Sequence, residues 1–202
     1  MGHSLIRKSS LAFPQDLILI LGDPPLLAGE SRDKYDGLLA AVAQSIMPRT
    51  DLDWMFVRDI ADISWQILRL RRIEVAAIEL VQKEIVLEHL KSTRDASDVV
   101  EHASYRIFSA RDEADRWARD PKARKKIDAR LAACGISSDA VLAMAYDRAA
   151  PQLGSIHSRI AYCERQRSAI LRDIERRDET YARKLGAASD AVIDAEFSEA
   201  AE

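Results

Sequence analysis

Cysteine, glycine and aromatic residues are scarce in this chain, and each scarcity removes a class of protein. Only Cys134 and Cys163 occur in 202 residues, at no ligand-like spacing, which excludes a disulfide scaffold and suits a reducing cytoplasm. Seven glycines leave no phosphate loop, and Gly22-Asp23-Pro24-Pro25 reads as a turn. Long apolar runs are missing too. The longest, Leu17 to Leu21 and Ala140 to Tyr146, fall far short of a membrane span. Arg7 and Lys8 ahead of the first run imitate a signal peptide, but Pro14, Gln15 and Asp16 intervene, so secretion is not expected. A net charge of −3 gives no global pull toward nucleic acid or anionic lipid.

What is present is helical. Apolar residues at 48% supply a core, and charged residues at 31% supply solvated faces. Residues 1–30 hold three of the six prolines and three of the seven glycines and read as an irregular arm, with Leu17 to Leu21 as a short strand or strap. Ser31 is placed to cap a helix carrying Tyr35, Leu38, Leu39, Val42 and Ile46, which Pro48 stops. Thr50 caps the next helix, with Asp51 and Asp53 in its first turn. From 51 to 92 there is no Gly or Pro, and Phe56, Ile60, Ile63, Ile67 and Leu70 recur at helical spacing. Such a helix would reach roughly 60 Å.

Irregular chain is expected after Ser92 and Thr93, then a short helix with Glu113 and Trp117. Asp120-Pro121 restarts a helix that Gly135 ends, and Ser137 or Ser138 caps a further short one. Pro151 or Gly154 opens a second long helix, running to Gly186 with Leu153, Ile156, Ile160, Cys163, Ile170, Ile174, Tyr181 and Leu185 on one face. Residues 187–202 carry five acids and no base and read as a flexible tail, although Val192, Ile193 and Phe197 offer a short apolar edge. The fold expected is all-α: a long antiparallel, coiled-coil-like helical hairpin with shorter packed helices, residues 31–186 forming the domain.

Two charge constellations stand out. Arg71 and Glu74 project among Ile67, Leu70 and Ile78, and Glu164 with Arg167 repeats the pattern beside Ile160, Cys163 and Ile170. If the long helices pack antiparallel, Arg71, Glu74, Glu164 and Arg167 form one buried network that fixes register. Alternatively, all four reach solvent along their aliphatic stems. Arg58, Asp62 and Trp65 fall on the opposite, polar side. The cations Arg116, Arg119, Lys122, Arg124, Lys125, Lys126 and Arg130 form a candidate nucleic-acid face. Acids Asp112, Glu113, Asp115, Asp120 and Asp128 interleave with them, which favours a solvated surface. His3, His89, His102 and His157 lack metal-ligand spacing, and no catalytic motif is found. No catalytic, metal or cofactor residue is therefore expected.

Leu26-Leu27-Ala28-Gly29-Glu30-Ser31, then Tyr35 and Leu38-Leu39, resembles the opening of a bacterial family of helical proteins of uncharacterised activity. Val57-Arg58-Asp59-Ile60, Trp65 with Arg69-Leu70-Arg71-Arg72, the stretch Ile160 to Glu175 and Asp194-Ala195-Glu196-Phe197 resemble it too. The resemblance spans most of residues 26–197 and implies a shared helical fold, with no activity, cofactor or ligand attached. More distantly, a Trp ahead of Arg-Leu-Arg-Arg resembles small helical proteins encoded among mobile elements, though here Gln66-Ile67-Leu68 separates Trp65 from Arg69.

These readings together give a non-enzymatic cytoplasmic interaction or scaffold protein, without membrane contact. Its partner is another protein or itself, and helices longer than their cover point to a homodimer. The second reading is a DNA-associated accessory protein using its basic helix faces.

Overall fold

In a computed structural model the chain is all-α, with six helices and no strand among the described residues, 13–95 and 103–199. They are α1 (Gln15–Leu21), α2 (Arg32–Ile46), α3 (Asp51–Asp95), α4 (Ala103–Arg119), α5 (Pro121–Ala133) and α6 (Ser138–Glu199). Helix α3 is 45 residues long and α6 is 62, so both long helices expected from the periodicity are present. Helix α3 continues through the expected exit residues Ser92 and Thr93 to Asp95. The start of the N-terminal arm, His3, and residues 96–102 with Ser97, Asp98 and His102 lie outside the described residues, as do the side chains from 188 onward.

The chain folds as two compact units, each drawing on both long helices. One comprises Met1–Leu68 with Ala161–Glu202, and the other Arg69–Ile160.

In the first unit, α3 begins with a reciprocal cap. Thr50 Oγ1 accepts from the Asp53 amide at 3.2 Å, and Asp53 Oδ2 accepts from the Thr50 and Arg49 amides at 2.9 and 3.0 Å. Ser31 caps α2 as expected, accepting from the Lys34 amide at 3.3 Å. The α2 stop comes at Met47, whose left-handed φ of 53° breaks the helix just before Pro48. Two small cores follow. Leu17, Ala43, Trp54 and Val57 pack together with Phe13, Leu39 and Ile46, while Tyr35, Ala61 and Trp65 pack with Leu26 and Leu38. Each fully buried large side chain contributes about 1.5–3 kcal/mol. On the other flank of α3, Ile60 and Ile67 are buried and Phe56 and Ile63 half-buried. There α6 runs antiparallel, with Arg177 on Asp53 at 3.4 Å and Arg167 near Ser64 at 3.5 Å.

The second unit has one core. Ile78, Ile85, Val86 and Leu90 of α3 meet Ala110, Ala114 and Trp117 of α4, Ile127 and Leu131 of α5, and Val141, Ala145, Ala149 and Leu153 of α6. Helix α6 again runs antiparallel to α3, with Arg148 on Glu88 at 2.8 Å and His157 on Glu74 at 2.8 Å. Asp120 caps α5 and Pro121 opens it. Gly135, at φ 81°, ends it in a Schellman turn: the Ile136 amide bonds the Leu131 carbonyl at 3.0 Å and the Gly135 amide bonds Ala132 at 2.9 Å. Only a residue without Cβ takes that φ cheaply.

Three sequence expectations are corrected. Leu17 to Leu21 belongs to a helix, not a strand, and only Leu17 of that run is buried. The short helix after Ser138 and the second long helix are one element, because α6 continues through Pro151 and Gly154. Pro151 is exposed while Ala149 and Leu153 on either side are buried, so core packing holds the helix across the missing N–H. Gly186 does not end α6 either, since the helix extends into the expected flexible tail as far as Glu199.

Candidate functional site

The most unusual chemistry in the first unit lies on the flank of α3 that the helical wheel assigned to solvent. Trp54, Val57, Ala61 and Trp65 recur there at helical spacing, and all are buried. Arg58 and Asp62 sit on the same flank. A charged pair four residues apart neutralises itself along the helix, so the flank can enter the core without an orphaned charge. Arg58 is 7% exposed, the one buried charged residue among those described. Its Nε donates to both Asp62 oxygens at 3.2 and 3.3 Å, and its Nη1 to the Gly22 carbonyl at 3.4 Å. Gly22, at φ 71°, turns the chain out of α1.

Tyr35 completes the cluster from α2. Its hydroxyl donates to Asp62 Oδ1, and the Arg58 guanidinium lies 5.9 Å from its ring centroid. Burial, then the bond to Asp62, drives its phenol well above the ordinary tyrosine range. Tyr35 also meets Trp65 edge-on at 5.7 Å. The Trp65 indole donates to Glu30 Oε2 at 3.0 Å, and that carboxylate also accepts from the Leu27 amide at 3.0 Å. Beside the cluster opens a cleft of about 300 Å³, walled by Phe13, Ile18, Leu39 and Trp54, with Arg58 among its lining residues.

The four residues expected as a buried network are placed differently. Arg71 is exposed, and Glu74, Glu164 and Arg167 are only half-buried. Arg71 and Glu74 belong to the second unit and Glu164 and Arg167 to the first. Glu74 meets His157, and Arg167 reaches Ser64. Among the described residues, the ion pair with a buried member is Arg58–Asp62 instead. The signal in the sequence was the Trp54–Val57–Ala61–Trp65 stripe running beside it.

The basic face maps to α4 and α5, and all seven cations are exposed. Several are engaged locally. Arg130 pairs with Glu113 at 2.5 Å, Arg116 approaches Asp112 at 3.9 Å, and Arg124 stacks 4.3 Å over the Trp117 ring. The Trp117 indole donates to Asp128 at 2.6 Å. Among the described residues no set of three or more His, Cys, Asp or Glu side chains is arranged to hold a metal, and no helix is long and apolar enough to cross a membrane.

The second unit carries a bare apolar strip. Ile73, Ala76 and Leu80 of α3 lie on one line at spacings of three and four, and Ile73 and Leu80 are 43% and 57% exposed. Lys83 and Leu87 continue the line and are half-buried: Lys83 pairs with Asp115 of α4, and Leu87 packs on the core. Cover from α4 therefore ends one turn short of Leu80. Comparison with protein-family models, with curated proteins and with solved structures finds no match.

Proposed function

We propose that the protein is a non-enzymatic helical interaction protein that pairs with a second copy of itself through the Ile73–Ala76–Leu80 line of α3. The observation that supports this reading is the uncovered strip, which prolongs a line whose next turns already serve as a packing surface. A second copy fits the strip by charge as well. Arg72 lies before Ala76 and Glu79 after it, so a two-fold antiparallel crossing sets each Arg72 against the other copy's Glu79. The same crossing sets Ile73 against Leu80, and Ala76 at the centre lets the backbones approach.

Light scattering on a size-exclusion column tests it. The wild-type chain should elute as a dimer at micromolar concentration and Leu80→Glu as a monomer with an unchanged helical spectrum. A monomeric wild type, or a dimer indifferent to both Leu80→Glu and Ile73→Glu, would overturn it. Mobility shift of duplex DNA that weakens steeply with salt would favour the accessory-factor reading through Lys122, Lys125 and Lys126 instead.

A further inference from the structure

We infer that the cleft between α1, α2 and α3 binds a small organic carboxylate with an apolar, ring-sized body, held by Arg58. The buried guanidinium is only partly used by the protein. Nε is taken by Asp62 and Nη1 by the Gly22 carbonyl, while Nη2 meets no acceptor among the described residues. A guanidinium with 8% of its side chain exposed has little bulk water to satisfy those N–H groups. Nη2 and the second N–H of Nη1 together form the end-on fork that a carboxylate accepts in two parallel bonds.

The rest of the cleft matches the remainder of such a ligand. Phe13, Ile18, Leu39, Ala40, Ala43 and Trp54 supply an apolar wall, and Phe13 and Trp54 meet edge-on at 5.4 Å. A volume of about 300 Å³ lies at the small end of natural ligand sites, enough for a six-membered ring and its carboxylate. Arg32, also lining the cleft, is half exposed to water and neutralised by two carboxylates, Asp36 and Asp23, whereas the buried Arg58 has only Asp62, which makes Arg58 the anchor. Asp36 and Asp62 add negative charge nearby, so a single carboxylate suits the site better than a phosphate dianion.

The probe is benzoate, with acetate and benzyl alcohol as controls for the carboxylate alone and the ring alone. Titration into the ¹⁵N-labelled full chain follows the three tryptophan indole signals, with Trp54 assigned by Trp54→Phe. Benzoate should shift the Trp54 signal saturably with a dissociation constant of about 1 mM, as expected for so few heavy atoms. Acetate and benzyl alcohol should each bind at least tenfold more weakly. Arg58→Lys should weaken benzoate about tenfold. Ala40→Leu, which fills the cleft from an α2 position without touching the ion pair, should abolish the shift and so keeps the test valid if Arg58→Lys misfolds. No saturation by benzoate, equal binding of benzyl alcohol, or full binding by Ala40→Leu would each overturn the assignment.

Discussion

Replacing Asp62 by Asn tests the central claim about the first unit, that a charged cluster is built into its core. The substitution keeps the shape of the side chain but removes the countercharge of Arg58, whose side chain is 8% exposed. Stranding a buried charge costs about 3–5 kcal/mol. Asp62 itself is 29% exposed, so water reaches the carboxylate side of the pair and the lower end, about 3 kcal/mol, is expected. Tyr35→Phe removes one hydrogen bond to a charged acceptor and should cost about 1.5 kcal/mol. Because Tyr35 and Arg58 share Asp62, the double variant should lose about 1 kcal/mol less than the two singles together.

Urea unfolding followed by tryptophan fluorescence reads these values. In a Trp117→Phe background, only Trp54 and Trp65 remain, both in the first unit. Alkaline pH gives an independent reading of the same cluster. Unfolded Tyr35 loses its proton near pH 10, whereas burial and Asp62 hold the folded phenol's pKa higher. Above pH 10 the folded state retains a proton that the unfolded state has released, so this stability is complete below pH 10 and declines as pH rises beyond it. Tyr35→Phe should remove that slope. An Asp62→Asn loss below about 1 kcal/mol, the range of surface pairs, would refute the reasoning.

Further outcomes follow from the helix ends and from α6. Asp53→Ala should cost about 1 kcal/mol at neutral pH by opening the reciprocal cap of α3. Desolvation raises the Asp53 carboxyl, but the Arg49 and Thr50 donors and Arg177 outweigh it and hold its pKa low. Its stabilisation is thus present above the unfolded aspartate range and lost as pH falls through the lowered value, so wild type and Asp53→Ala should converge in acid denaturation. Gly135→Ala should lower stability by about 1 kcal/mol, read by thermal melting, because φ 81° strains any residue with a Cβ. Arg148→Ala should leave the melting midpoint unchanged, since the Arg148–Glu88 pair lies at the surface even though it holds the Glu88 carboxyl low. Hydrogen exchange should be faster in residues 161–187 of α6 than in residues 51–68 of α3, because no side chain in that α6 segment is buried.

Local signals in the sequence translated well into structure. The caps at Ser31, Thr50 and Asp120 and the turn at Gly135 were legible because each rests on a neighbour within five residues. The Ile60–Ile67 stripe of α3 was legible for the same reason. Signals that depend on tertiary packing were not. Pro151 and Gly154 read as a helix start because their intrinsic preference is strong. The buried Ala149, Leu153 and Ile156 override it, and the exposed side of the helix leaves the carbonyl freed by Pro151 open to water.

Arg58 shows why the candidate site stayed hidden. A helical wheel sorts residues by charge, and Arg58 and Asp62 placed that flank of α3 in solvent. The apolar residues on the same flank, Trp54, Val57, Ala61 and Trp65, are as regularly spaced as the stripe opposite, so within this unit α3 has two faces to bury. A helix with two apolar faces needs cover on both, and α1 with α2 supply the second. That cover is what closes around the ion pair and shapes the cleft. Hence the Arg–Asp spacing of four, which argues for a solvated surface in isolation, becomes the condition that lets a guanidinium sit in a core with part of its donor edge still to be used.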